Sequence, residues 1–307
     1  MTALPTSSTP AAPAPPTSPA RQSDLTSLFD LKRVDDAVWV GLSDRLHLPQ
    51  LYGGQLVGQS VMAAGRSIGP EMRIHSSHTS FLRPGTPGRP IRYQVEDVTS
   101  GRRRGVRDVS AWQEDRLLCR TIVSATVEDE SGIQHARSAP VVGTPAEAVP
   151  LADLAESDAG LGPWWEQFEA IEVRVDQRDP RPDAPHSAVT PALLWMRTTE
   201  PLPSDPLFHR AALAYTSDLM LMATAAAAHG IPVGHESRLA ESFWGISLDH
   251  TLWYQGDLAA DEWLLFEQVS PMAEAGHTLI QSTVFDPSGR PVGHVSQEAL
   301  LRPQRPG

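Results

Sequence analysis

At 307 residues, 40% hydrophobic and 20% charged, the chain is long enough for about two domains, each with its own core. A formal charge of −12 argues against a general nucleic-acid or anionic-membrane binder, which needs a basic surface, and no apolar run approaches the length of a membrane span. One cysteine, Cys119, excludes an intrachain disulfide framework and a Cys-based zinc site.

Residues 1–24 are rich in Pro, Ser, Thr and Ala and lack a basic start followed by an apolar core. They read as a disordered tail rather than a signal peptide, which makes a cytoplasmic location the expectation. A strand is predicted over 34–41 and a helix over 54–67, followed by strands over 77–82, 91–98, 105–113 and 117–128. Together they form a first unit over 25–130. Cys119 lies in the strand-like run LLCRTIV and reads as a space-filling buried thiol. Residues 131–163, rich in Pro, Ala, Gly and acid, read as a connector. A second unit over 164–303 repeats the order. It has strands over 171–175 and 193–197, separated by the Pro-rich loop 179–185, then a helix opening at Ser217-Asp218. Strands over 241–254, 263–269, 278–286 and 291–301 follow.

Residues mark this internal repeat. Tyr52-Gly53-Gly54-Gln55 aligns with Tyr215-Thr216-Ser217-Asp218, and His78-x-x-Phe81 with His250-x-x-Trp253. Ile91 and Trp263 each lie 13 residues beyond the matching histidine. The pattern predicts two copies of one α+β unit, each an antiparallel sheet wrapped around a long central helix. A helix enclosed in this way must be apolar around most of its circumference, as LMLMATAAAA at 219–228 is.

Three residues stand out from that pattern. Ser217 is placed to cap the second helix, with Asp218 in its first turn, where the helix dipole stabilises a carboxylate by about 0.3–1 kcal/mol. Helix-end electrostatics alone would account for it. Strand alternation puts Gln297 on one face with Val295, Ala299 and Leu301, where an amide must find hydrogen bonds; satisfying a backbone group and serving a site are equally open readings. Ser247 lies near Asp249 and His250, but the second glycine of a nucleophile elbow is missing and the segment alternates like a strand. Alternation places Ser247 with Asp249 on one face and His250 with Leu252 on the other, so His250 reads as a core histidine. His75 and His78 would face opposite ways on a strand, and no metal-ligand spacing occurs. Seven arginines fall between Leu82 and Asp108. Among them Arg102, Arg103 and Arg104 could receive a phosphorylated ligand or simply decorate a solvated hairpin.

Taken together, LYGGQLVGQSVMAAGRSI (51–68), HSSHTSFLRPGTPGRPIRYQVE (75–96), AYTSDLMLMATAAAAHGIP (214–232), SLDHTLW (247–253), DEWLLFEQVSP (261–271) and SQEALLR (296–302) resemble the acyl-CoA thioesterase II family. The resemblance implies two fused hotdog units and hydrolysis of acyl-CoA. It further implies a trio of Asp218, Ser247 and Gln297 that orients an attacking water, with no cofactor, metal or covalent intermediate. Serine stands where threonine is more familiar, and Tyr254-Gln255-Gly256-Asp257 departs from the family's Phe-His-Arg-Pro. Close to a helix start, Asp218 should keep a low pKa and act as a weak base. The first unit offers Gln55, His75 and Ala125 at the corresponding positions and so should lack a site of its own. A homo-oligomer is also implied. Another hotdog enzyme, such as an enoyl-CoA hydratase, and a non-catalytic acyl-CoA-binding protein are the alternatives.

Overall fold

The computed structural model describes residues 24–44, 46, 48–129, 131–156, 168–178 and 190–304. The predicted tail up to residue 23, residues 157–163 of the predicted connector and the Pro-rich loop at 179–185 lie outside them. In chain order the first half runs α1 (Leu25–Phe29), β1 (Lys32–Asp35), β2 (Val38–Gly41), α2 (Gly53–Gly65), β3 (Arg73–Phe81), β4 (Ile91–Ser100), β5 (Arg104–Gln113) and β6 (Arg116–Thr126). The predicted connector carries β7 (Val149–Pro150) and α3 (Leu151–Glu156). Then follow β8 (Ile171–Asp176), β9 (Ala192–Thr198), α4 (Pro206–Thr216), α5 (Leu221–Ala227), α6 (Glu236–Ser242), β10 (Phe243–Ser247), β11 (Asp249–Tyr254), β12 (Leu264–Glu274), β13 (His277–Phe285) and β14 (Pro291–Pro303).

Among the described residues, the strands form one antiparallel sheet in the order β1-β2-β4-β5-β6-β3-β11-β14-β13-β12-β9-β8-β7, with β10 pairing β14 beside it. The halves join where β3 pairs β11, with His250 opposite Thr79. Each half curls around helix. The first wraps α2, whose residues from Gly54 to Ala64 are buried, and the second packs β12, β13 and β14 against α5.

The long second helix differs from expectation. Asp205 caps α4, its carboxylate accepting from the Leu207 N–H at 2.9 Å, and Pro206 opens the helix. Asp before Pro is a strong helix-start signal, and it places the start eleven residues before Ser217. Ser217 therefore closes α4 rather than capping a new helix, donating its N–H to the Leu213 carbonyl at 2.8 Å. A turn follows in which Met220 adopts φ +65°, and α5 starts only at Leu221. The break lets α4 lie along α2 while α5 turns to cover the second sheet.

Small residues allow the two helices to meet closely. A Cβ on Gly58 would come within 2.9 Å of the Ala211 carbonyl oxygen, and one on Gly54 would collide with the Tyr215 carbonyl oxygen. Tyr52 donates its hydroxyl to that same Tyr215 oxygen at 2.7 Å. The first turn of α2 is thereby set against the turn that carries Asp218.

Candidate active site

Asp218, Ser247 and Gln297, predicted from distant segments, converge at the junction of α2, the α4–α5 turn and the β10–β11 strands. Gln297 lies on the buried face of β14 with Val295 and Ala299, as alternation predicts, and is 1% exposed. Its Nε2 donates to Ser247 Oγ at 3.0 Å and lies close enough to the Asp218 carboxylate to favour its charge. Carboxylate oxygens can only accept, so the amide nitrogen must face Asp218 and the amide oxygen must face away. That oxygen meets His250 Nδ1 at 2.6 Å, and His250 Nε2 meets Ser217 Oγ at 2.9 Å. His250 is fully buried, which pushes its pKa down to about 4. The ring is therefore neutral near pH 7, with Nδ1–H donating to Gln297 and Nε2 accepting from the Ser217 hydroxyl.

Alternation predicted Ser247 and His250 on opposite faces, yet both bond Gln297. The cause is a slip of one residue. Ser247 pairs with Ala299, whereas Thr251 pairs with Ser296 rather than with Val295. A bulge at Leu248 thus turns Ser247 and His250 toward the same partner, a device that re-aims side chains beside sites.

Asp218 is 7% exposed at its side chain. Burial raises its pKa to about 7, against the opposing pull of the Gly54 N–H and of Gln297. The expectation of a low pKa fails because Asp218 is not in the first turn of its own helix and is walled in by the other half. The first half, expected to lack a site of its own, contributes that Gly54 N–H to the site of the second. Its own counterpart of Asp218, Gln55, is absorbed in structure: Nε2 donates to the Leu42 carbonyl at 2.9 Å, and Oε1 accepts from the Asp44 N–H at 3.1 Å. Cys119 is buried, with its pKa raised to about 12, and is an inert core thiol.

Asp218 and Ser247 open onto a cavity of about 430 Å³ lined mainly by apolar groups, among them Leu51, Phe81, Leu219, Met222 and Ile246. Arg102, Arg103 and Arg104 are not at this cavity. Arg104 aligns through Thr126 with Arg73, eight residues along β3 from the cavity wall at Phe81, or about 26 Å at about 3.3 Å per residue. Arg103 is paired there with Asp129 at 3.0 Å. The arginine that lines the cavity is Arg83, exposed and donating to the Leu117 carbonyl at 3.2 Å.

One sheet whose two halves curl around helices, with a carboxylate, a hydroxyl and an amide brought together at an apolar cavity between the halves, defines a double-hotdog enzyme. Family models described as the acyl-CoA thioesterase N-terminal and C-terminal domains match residues 45–128 and 145–301. The chain belongs to the acyl-CoA thioesterase II family, whose members are thioester hydrolases. It is 31% identical to acyl-CoA thioesterase 2 of Haemophilus influenzae, over 91% of this chain and 97% of that one. Among solved structures it is similar to the acyl-CoA thioesterase II TesB2 of Mycobacterium marinum, at a TM-score of 0.77 and 30% identity, covering 92% of this chain and 99% of the other. A hot dog fold protein of Alicyclobacillus acidocaldarius shares the fold at a TM-score of 0.70 and 17% identity, with 92% of this chain and 98% of that one covered.

Proposed function

We propose that the chain hydrolyses acyl-CoA to a free carboxylic acid and CoA, by direct attack of a water held between Asp218 and Ser247. The observation that carries this reading is the Gln297 amide, bonded to Ser247 and set beside Asp218, at the wall of an apolar cavity. The acyl chain occupies the cavity, and Arg83 at its rim meets the phosphates of CoA.

Asp218 is the general base. A pKa near the working pH suits that role, since the group is then deprotonated in part and still basic enough to take a proton. As the water oxygen bonds to the thioester carbonyl carbon, its proton passes to Asp218. Ser247 accepts from Gln297 and keeps its own O–H to orient the water. The first turn of α2 has no side-chain cap, and Gly53 lines the cavity. Its remaining N–H donors receive the oxyanion, where such a donor is worth about 10²–10³ in rate. Collapse of the tetrahedral intermediate breaks the C–S bond, and the thiolate leaves without a general acid because thiols are acidic, near pKa 8.5. Positioning by the Gln297 amide supplies the geometry.

Thiol release from acyl-CoA, followed for wild type and Asp218→Asn, is the test. Loss of about 10²–10⁴ in kcat is expected for removal of a general base. Equal turnover by the variant, or consumption of an enoyl-CoA without thiol release, would overturn the assignment.

A further inference from the structure

Among the described residues, the wall of the same cavity holds one carboxyl group that hydrolysis does not use. Glu236, the first residue of α6, lines the cavity yet is only 5% exposed. Its Oε1 accepts from the Gly234 N–H at 3.1 Å. Gly234 holds φ +98°, a conformation that favours glycine, and it packs against Leu154. The second oxygen, Oε2, is buried and has no hydrogen-bond partner. The nearby wall is apolar, with Met222, Leu239 and Ile246. A pocket meant only for a hydrocarbon chain would gain by a leucine here, because a buried carboxyl oxygen left unpartnered is costly.

We propose that Glu236 is a specificity residue and that the preferred acyl group carries a hydroxyl along its chain, which bonds Oε2. This rests on the reading of the cavity as the acyl site. A hydroxyl fits better than other polar substituents because it both donates and accepts. It can therefore pair with the carboxylate and with the neutral acid, and burial does shift this group toward the neutral form. A keto group could pair only with the acid, and an ammonium group would bring a further charge to be buried.

The experiment compares kcat/KM for plain saturated acyl-CoAs with that for chains of equal length carrying the hydroxyl at successive positions. Wild type, Glu236→Gln and Glu236→Leu are each assayed. Wild type should favour one hydroxyl position by about tenfold, the worth of one buried hydrogen bond. Glu236→Gln, which keeps a hydrogen-bonding head, should retain part of that preference, and Glu236→Leu should abolish or invert it. Equal use of plain and hydroxylated chains by wild type, or an unchanged ratio in Glu236→Leu, would overturn the proposal. The free acids provide an independent arm through the melting-temperature shift they give wild type and Glu236→Gln. If no thioester is cleaved but a hydroxy acid still stabilises wild type more than its plain counterpart, the hydrolase reading fails and the specificity of the cavity stands. No difference between the acids would sink the specificity alone.

Discussion

The Asp218 carboxylate lies against the first turn of a helix from the other half of the chain, where the backbone N–H of Gly54 favours its charge. The acid and its helix-end donor thus lie on opposite sides of a seam between two homologous units. The approach is close: a Cβ on Gly53 would lie 2.8 Å from Asp218 Oδ2. Because the same packing buries the carboxyl, the seam sets the pKa as well as the position.

Activity should follow the ionisation of Asp218. With a pKa of about 7, kcat/KM should rise with pH through about 7 and level off above about pH 8. The rise is one-sided in this range because His250 titrates near 4. A rate independent of pH between about 5.5 and 8 would rule out Asp218 as the base.

Stability should show the cost of that tuning. Between about pH 4, where Asp218 titrates in the unfolded chain, and about 7, the folded state binds more protons at this site, so its contribution to stability falls as pH rises. His250 works the other way: its folded pKa of about 4 lies below the unfolded value near 6.5, so its contribution is lost as pH falls through that window. Only Asp218 differs between wild type and Asp218→Asn. The variant should therefore melt higher than wild type at pH 8, with the advantage shrinking toward pH 4. A gap of constant size across that range would contradict the burial argument.

Substituting Gly54 should damage both fold and site. A methyl there meets the Tyr215 carbonyl oxygen and the Tyr52 ring, so α2 and α4 must part. Overpacking of this kind costs about 1–3 kcal/mol, and the moved N–H no longer holds Asp218. Gly54→Ala should lower the unfolding midpoint and reduce kcat more than about tenfold. By contrast, Ala223→Gly on α5 removes one buried methyl at the cavity wall without a clash, and should lower stability by about 1–2 kcal/mol through helix propensity and the lost burial together.

Much of this was legible in local pattern. The strands of both halves, the buried face carrying Gln297, the inert thiol of Cys119 and the helix α2 follow from periodicity and packing logic. What local pattern missed lies in long-range geometry. LMLMATAAAA has high helix propensity from its first residue, but packing of α4 on α2 imposed a turn with Met220 at φ +65°. The one-residue slip at Leu248 depends on how β10 and β11 both register on β14, which nothing within SLDHTLW specifies. The sign of the Asp218 shift depends on burial by a segment more than 150 residues away. Asp205-Pro206 was a readable helix start, and it would have moved the predicted cap away from Ser217.

His250 is expected to act through Gln297 rather than as a base. Both of its ring nitrogens are engaged, with Gln297 at 2.6 Å and Ser217 at 2.9 Å, leaving none to take a proton from water. Its function follows from what it prevents. An amide can rotate to exchange its oxygen and nitrogen, and only one orientation presents Nε2 to Asp218 and Ser247. The Nδ1–H of a neutral imidazole holds that orientation, since Gln297 Oε1 is the one amide atom that can receive it. His250→Ala should therefore lower kcat by about 10–100-fold, the equivalent of one buried hydrogen bond left unmade at about 1–3 kcal/mol, with KM little changed. Asn places a side-chain nitrogen where Nδ1 stood, so His250→Asn should recover part of the loss. The ascending pH limb near 7 should persist in His250→Asn, since Asp218 remains. Its disappearance would transfer the role of base to His250, and an equal loss in the Ala and Asn variants would remove the orienting role.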